Sequence, residues 1–302
     1  MRKALLQLHA AVFLWGFTGV LGRAITLSQT WLVWYRLLIT VVSLWILYAL
    51  LGKIRRMPLK SALFIAFIGF ILALHWVCFY GSIKYSNVTI ALTCLSTTAL
   101  LASFLEPIIV GRRFDPWEIG LGLFAIAGII LIYNTHLQFS TGIIIGLVSA
   151  VLTVLVSVTT KKIIDRFEPE AITLYQLTGG FAGLTLLLPV YQHFFPEPNS
   201  VPVAKDWLWL TLLSWACTIG TFFLYIRALK KVSAFTMNLV LTLEPVYGIV
   251  LAFALYRENR EVSPWFYLGF ALISVAVAFH MWRLLRPKKE TVTMAENPMQ
   301  EM

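Results

Sequence analysis

The sequence predicts an all-α integral membrane protein whose ten transmembrane helices form two inverted five-helix repeats. Three observations support this fold class. Of the 302 residues, 59% are hydrophobic and only 13% are charged, whereas soluble domains average about 25% charged residues. The apolar residues fall into stretches of about 20, the length of a membrane-spanning helix. Paired motifs also recur at a nearly constant offset along the chain.

Ten apolar stretches, spans 1 to 10, are separated by short polar segments. Strands of a membrane barrel would alternate apolar and polar residues, whereas residues 141–158 are continuously apolar with small residues among them, as is typical of packed membrane helices. The predicted spans are Leu5–Leu21, Trp31–Leu51, Leu59–Tyr80, Ser86–Val110, Trp117–Tyr133, Thr141–Thr160, Ile172–Phe194, Trp207–Ile226, Val232–Tyr256 and Trp265–Trp282.

The net charge of +10 is distributed loop by loop. With a cytoplasmic N-terminus, 18 of the 24 Lys and Arg residues fall on the cytoplasmic side, five fall on the other side, and Arg36 lies within a span. Cytoplasmic loops of membrane proteins carry such an excess. We therefore expect both termini in the cytoplasm and the lipid bilayer as the surrounding partner. A nucleic-acid binder would concentrate its charge on one solvated face, so no nucleic-acid partner is expected.

Internal repetition divides the chain into residues 1–133, residues 141–283 and a charged cytoplasmic tail, residues 284–302, that is expected to be disordered. Because five is odd, the second half must enter the membrane from the opposite side. Inverted repeats are typical of secondary transporters, whose binding site lies near the midplane. The matching pairs are Tyr35-Arg36 with Tyr175-Gln176, Ile83-Lys84 with Leu229-Lys230, and Pro116-Trp117 with Pro264-Trp265, at offsets of 140, 146 and 148.

The tripeptide Leu-Glu-Pro occurs twice, but its offset of 138 does not match the repeat. Glu106 falls late in span 4, where an interfacial carboxylate would face Arg112 and Arg113. Glu244 falls near the middle of span 9, at a depth where a charge costs about 2.5 to 3.5 kcal/mol. It either takes part in substrate or proton handling, or is neutral and hydrogen-bonded and holds span 9 against a neighbouring helix. Pro245 has no N–H to donate to Leu241 and is expected to kink or open the helix there, as a gating element.

Other polar residues within the spans could line a site. Arg36 either points inward, toward a carboxylate, or reaches outward to the interface about 7.5 Å away. His75 is either a titratable site residue or a packing residue. The hydroxyls of span 4 either line a site or bond their own backbone. The candidate substrate-binding residues are Trp15, Arg36, His75, Trp76, Tyr80, Thr93, Thr97, Gln176, Tyr225, Asn238, Glu244 and Tyr247.

Rival classes lack support in the residues. The five histidines are scattered without an H-x-x-x-H motif, and no paired serine and histidine is evident. We therefore expect no catalytic residue, no metal site and no cofactor. An intramembrane enzyme is the less favoured alternative. A non-transporting membrane receptor is the other alternative, although it leaves the repeat and the midplane Glu-Pro pair without a purpose.

Four segments of the chain are "FLWGFTGVLGR", "WYRLLI", "CFYGSIKYSNVTIAL" and "ALKKVSAFTMNLVLTLEPVYGIVLAFALYREN". Together they resemble the EamA-type family of the drug/metabolite transporter superfamily, and the resemblance covers about residues 4–283. It implies an inner-membrane permease, commonly an exporter of amino acids or related metabolites, that works by alternating access. Spans 1–4 and 6–9 would surround a central cavity, with spans 5 and 10 at the periphery. The oligomeric state stays open, a homodimer included.

Two family features depart from symmetry in this chain. The glutamate that follows span 9 in the family is present as Glu258, but its counterpart after span 4 is Arg112. The family's proline in the middle of span 4 is absent. A helix break is therefore expected only at Glu244-Pro245. Arg36 would attract a substrate carboxylate and the break would supply polar contacts, with proton coupling through Glu244 or His75 as a weaker hypothesis.

Overall fold

The computed structural model describes residues 2–111, 113–164, 166–229, 240–241 and 243–285. Within these ranges the chain is helical and has no strand. Nine helical stretches of the described residues are long and apolar enough to cross a membrane. Much of predicted span 9, residues 232–239, lies outside the described ranges, so the count of ten remains a prediction.

Twelve α-helices make up the described chain. Predicted span 4 corresponds to α4 and α5, and span 8 corresponds to α9, a π-helical turn at Trp215–Gly220, and α10. The helices are α1 (Arg2–Ala24), α2 (Gln29–Leu50), α3 (Leu59–Tyr85), α4 (Val88–Ser96), α5 (Thr98–Val110), α6 (Pro116–Thr135), α7 (Ser140–Lys161), α8 (Pro169–Phe194), α9 (Ala204–Ser214), α10 (Thr221–Leu229), α11 (Glu244–Tyr256) and α12 (Pro264–Leu285).

Helix packing follows the repeat. Helix α1 of the first half packs on α11, and its counterpart α7 packs on α4 and α5. Likewise α2 packs on α9, and its counterpart α8 packs on α3. Helices α6 and α12, the last of each half, pack on each other. These contacts between the halves therefore occur in repeat-related pairs, and the two halves are interleaved rather than separate.

Backbone breaks occur in both halves, which corrects the expectation of a single break. Thr97 is a one-residue turn between α4 and α5, with φ −75° and ψ −8°. Leu243, which lies 146 residues later, is the turn before α11, with φ −83° and ψ −8°. Because no proline is needed for a one-residue turn, the sequence of span 4 does not reveal it.

Glycines bring helices of the two halves into close contact. A Cβ atom added to Gly16 in α1 would lie 2.8 Å from the backbone oxygen of Glu244 and 2.9 Å from the backbone nitrogen of Gly248. A Cβ atom added to Gly69 in α3 would lie 1.7 Å from the backbone oxygen of Gln176 in α8. Small residues allow membrane helices to approach in this way, and both contacts fix helices that carry predicted site residues.

Polar groups close one end of the helix bundle, which we call the sealed end and define by Arg23, Thr26, Asp206 and Glu258. The Asp206 carboxylate accepts hydrogen bonds from the Thr26 backbone nitrogen at 2.8 Å and from the Thr26 hydroxyl at 2.6 Å. The guanidinium of Arg23 pairs with Glu258, whose side chain is fully buried. These contacts join α1 to α9 and to the connection after α11.

Candidate functional site

A cavity of about 380 Å³ lies between the two halves. Its described lining comes from α1, α2, α3, α4, α7, α8, α10 and α11, together with the π-helical turn, and none of it comes from α6 or α12. This confirms the expected arrangement of spans 1–4 and 6–9 around a centre. Most lining residues are apolar or aromatic, as is usual for small-molecule sites.

Arg36 points into the protein rather than to the interface. Arg36 is only 4% exposed, and its side chain lines the cavity. One terminal nitrogen, Nη1, donates to the hydroxyl of Tyr80 at 2.9 Å, and the other, Nη2, donates to the hydroxyl of Thr218 at 3.0 Å. The guanidinium carbon lies 3.8 Å from the ring centroid of Trp76. The alternative in which Arg36 reaches the headgroups is therefore excluded by the geometry.

Trp76 and Tyr80 both contact the Arg36 guanidinium, but in different ways. Trp76 lines it and covers one face of the Arg36 guanidinium, an arrangement that favours a desolvated cation. Tyr80 is fully buried and lies outside the lining, but its hydroxyl accepts a hydrogen bond from Arg36, which lines the cavity. Both come from the same face of α3, four residues apart, so one turn of one helix supports the cation.

Glu244 lines the same cavity, at the first residue of α11. Pro245 lies in the first turn of this helix, where a missing N–H leaves no intrahelical hydrogen bond unmade. Among the described residues, no hydrogen-bond or ion-pair partner is seen for the Glu244 carboxylate. Glu244 and Arg36 are the only carboxyl and the only guanidinium or ammonium group in the described lining.

His75 lines the cavity but is held by α7. Its Nδ1 atom lies 2.9 Å from the hydroxyl of Ser149 and 2.7 Å from the hydroxyl of Thr153. The ring also stacks on Phe79, with centroids 6.3 Å apart. These contacts link α3 to α7, so His75 has a packing role whether or not it contacts a ligand.

Three further predicted residues, Trp15, Gln176 and Tyr225, line the cavity. The rings of Trp15 in α1 and Tyr225 in α10 lie 5.5 Å apart between centroids. Gln176 in α8 lies near the hydroxyl of Thr160 in α7, with 3.5 Å between nitrogen and oxygen. Together they supply an aromatic wall and a neutral polar group at different points of the lining.

The remaining predicted residues lie elsewhere. The hydroxyl of Thr93 donates to the backbone oxygen of Thr89 at 2.8 Å, and that of Thr97 donates to the backbone oxygen of Cys94 at 2.6 Å. Neither lines the cavity. The hydroxyl of Tyr247 is 2.9 Å from Nδ1 of His9 and is also outside the lining. Asn238 lies outside the described residues.

Glu106 lies away from the cavity, near the end of α5. Its carboxylate is 3.2 Å from the ammonium group of Lys161 at the end of α7. Glu106 therefore has a basic neighbour, Lys161 of the second half. Its expected position opposite Arg112 and Arg113 stays a prediction, since Arg112 lies outside the described residues.

Sequence reasoning missed the hydroxyls of the π-helical turn. Thr218 lies in this turn, where its hydroxyl also donates to the backbone oxygen of Leu213 at 3.0 Å. Thr221 follows one turn later and also lines the cavity. The only sequence signal for this pair is that two threonines lie three residues apart in an apolar span. The hydroxyl residues Thr93 and Ser96 of span 4 have the same spacing, but their hydroxyls bond the backbone of their own helix. Turns of this kind are frequent at functional sites.

The cavity extends from the middle of the lining helices to the connection between α7 and α8, where Ile164 and Pro169 line it. This connection lies at the opposite end from the sealed end. Among the described residues, no group of three or more His, Cys, Asp or Glu side chains could hold a metal ion.

Comparison with known proteins agrees with this architecture. No curated protein matches the chain. A solved structure titled "Crystal structure of protein" is similar over 94% of this chain and 99% of its own, with 17% sequence identity and a TM-score of 0.60. That likeness concerns the fold alone.

The model of the EamA-like transporter family matches twice, at residues 2–134 and 140–280. The two matches correspond to the two interleaved halves described above. With both halves matched, the chain belongs to the EamA-like transporter family, within the drug/metabolite transporter superfamily.

Proposed function

We propose that this multi-pass membrane protein is a permease that moves small metabolites, such as amino acids, by alternating access around the central cavity. The proposal places it in the cell inner membrane, with both termini in the cytoplasm, as an exporter that is either secondary-active or facilitative. Family membership and the cavity between repeat-related halves support a transporter.

One observation carries the proposal. Arg36 is buried at the cavity with no carboxylate within 4.0 Å among the described residues. A buried charge is costly unless it is paired, and the neutral hydroxyls of Tyr80 and Thr218 compensate it only in part. A substrate carboxylate would complete the pairing during each transport cycle.

The sealed end and the extent of the cavity support an assignment of this conformation within the proposed transport cycle. The cavity reaches the α7–α8 connection. In the orientation that we propose from the distribution of basic residues, this connection would lie on the cytoplasmic side. The described conformation would then be the inward-facing one. To face outward, the protein would have to break contacts such as the one between Thr26 and Asp206. Each of these polar groups can exchange its partner for water at moderate cost.

Counterflow in proteoliposomes tests the proposal. Vesicles loaded with one unlabelled amino acid, nucleoside, sugar or sugar phosphate are diluted into the same labelled compound at trace concentration. We expect transient accumulation of label for compounds that carry a carboxylate. If one or more compounds bind but none of them shows counterflow, the result would contradict transport and favour a receptor.

The same vesicles decide whether transport is coupled to protons. His75 is engaged by Ser149 and Thr153, so Glu244 is the better candidate for a coupling group. Transport rates are compared with and without a pH gradient of one unit. Equal rates remove the proton-coupling hypothesis.

A further inference from the structure

We propose that Thr218 is a positioning residue that orients Arg36 to select substrates carrying a planar carboxylate. The inference rests on the proposed function and specifies the ligand chemistry of its site.

The guanidinium of Arg36 is held on three sides. Its Nε and Nη2 atoms both donate to the hydroxyl of Thr218, at 3.3 and 3.0 Å. Its Nη1 atom donates to Tyr80 at 2.9 Å. Trp76 covers one face of the group. The cation therefore cannot rotate without losing several contacts at once.

These contacts leave a defined set of donors for a ligand. A guanidinium has five N–H groups, and three of those in Arg36 donate to Thr218 and Tyr80. One N–H remains on each terminal nitrogen, without an acceptor among the described residues. Two N–H groups fixed in one plane match the two oxygens of a carboxylate, which arginine binds in a bidentate manner.

The charges of the cavity favour a ligand with a single carboxylate over a phosphate dianion. Arg36 is the one cation of the described lining, and Glu244 adds a carboxyl group to the same cavity. A phosphate dianion would meet one positive charge and that carboxyl group. A ligand with one carboxylate and one ammonium group would match both. The apolar and aromatic lining accommodates the rest of the molecule.

Thr218 can hold this position because of the π-helical turn. Its hydroxyl donates its own proton to the backbone oxygen of Leu213, five residues earlier, at 3.0 Å. The lone pairs of the oxygen therefore remain available to Nε and Nη2 of Arg36. The backbone of Arg36 is fixed as well, since its carbonyl oxygen accepts hydrogen bonds from Thr40 at 2.8 Å and Ser214 at 3.1 Å.

The test measures the binding of L-leucine, L-phenylalanine and the amides of both to purified protein by calorimetry. Thr218→Val keeps the shape but removes the hydroxyl, and Thr218→Ser keeps the hydroxyl. We expect wild type and Thr218→Ser to prefer the carboxylates. In Thr218→Val we expect about tenfold weaker carboxylate binding, with amide binding unchanged.

Other outcomes overturn the inference. Equal losses for carboxylates and amides in Thr218→Val would indicate a purely structural residue. If wild type binds neither carboxylate but shows counterflow of another class, the inference fails while the proposed function stands. If no compound shows counterflow, the proposed function fails as well.

Discussion

The carboxylate of Glu258 caps the first turn of α4 through Thr89. One oxygen accepts from the backbone nitrogen and the hydroxyl of Thr89, at 2.7 and 2.6 Å, and the other accepts from the backbone nitrogen of Val88 at 3.0 Å. Helix N-termini present free N–H groups that bind anions. Because Glu258 lies beyond α11, this cap joins the second half to the first at the sealed end.

Replacing Glu258 with Gln should destabilise the protein. The amide loses the charge that faces Arg23 and places an NH₂ group where an acceptor is needed. We expect a loss of about 2 kcal/mol or more in the free energy of unfolding, measured as lowered thermal stability in detergent. Glu261→Gln is the matched control, since Glu261 pairs with the same Arg23 but its side chain is 34% exposed. Equal shifts for both variants would contradict the buried cap.

A methyl group at Gly16 should separate α1 from α11. Gly16→Ala places Cβ 2.8 Å from the backbone oxygen of Glu244, so the two helices must move apart. We expect a loss of about 1–3 kcal/mol and slower transport. Gly120→Ala in α6 is the control because nothing lies within 4 Å of its added Cβ. If both variants melt at the wild-type temperature, the close contact is wrong.

Arg36→Lys should impair substrate recognition although it keeps the charge. An ammonium group cannot contact Tyr80, Thr218 and a carboxylate in one plane. We expect at least about tenfold weaker carboxylate binding, measured by calorimetry on protein that elutes normally. Arg55→Lys is the control, since the side chain of Arg55 is 62% exposed in its pair with Glu168. Wild-type affinity in Arg36→Lys would remove Arg36 from the site.

Glu244→Gln should affect ligands that carry an ammonium group. The amide has the same shape but no charge, so binding of L-leucine should weaken while binding of 4-methylpentanoate, which lacks the amine, should not. Calorimetry with both compounds measures the difference. Unchanged affinity and unchanged transport in a folded Glu244→Gln protein would make the glutamate structural.

The repeat and the inward position of Glu244 could be predicted because spacing and hydrophobicity determine them. The arrangement of eight spans around the cavity is implied only by the resemblance to the EamA-type family. The direction of Arg36 could not be, since a residue about 7.5 Å from a helix end can reach either the interface or the interior. Its neighbours decide: Tyr80 and Thr218 offer acceptors that only the folded chain brings together.

Hydroxyl residues were the least predictable part of the site. Thr93 and Thr97 bond their own backbone, as hydroxyls in membrane helices often do. Thr218 also donates to its own backbone, but its oxygen still accepts from Arg36. A π-helical turn at Trp215–Gly220 makes that difference, and no proline or glycine pattern in the sequence marks where it begins.

A structure determined with a substrate that shows counterflow tests the central claim most directly. The account predicts that the substrate occupies the cavity with its carboxylate oxygens about 2.7–3.0 Å from Nη1 and Nη2 of Arg36. A substrate bound elsewhere, or one in the cavity without contact to Arg36, would contradict it.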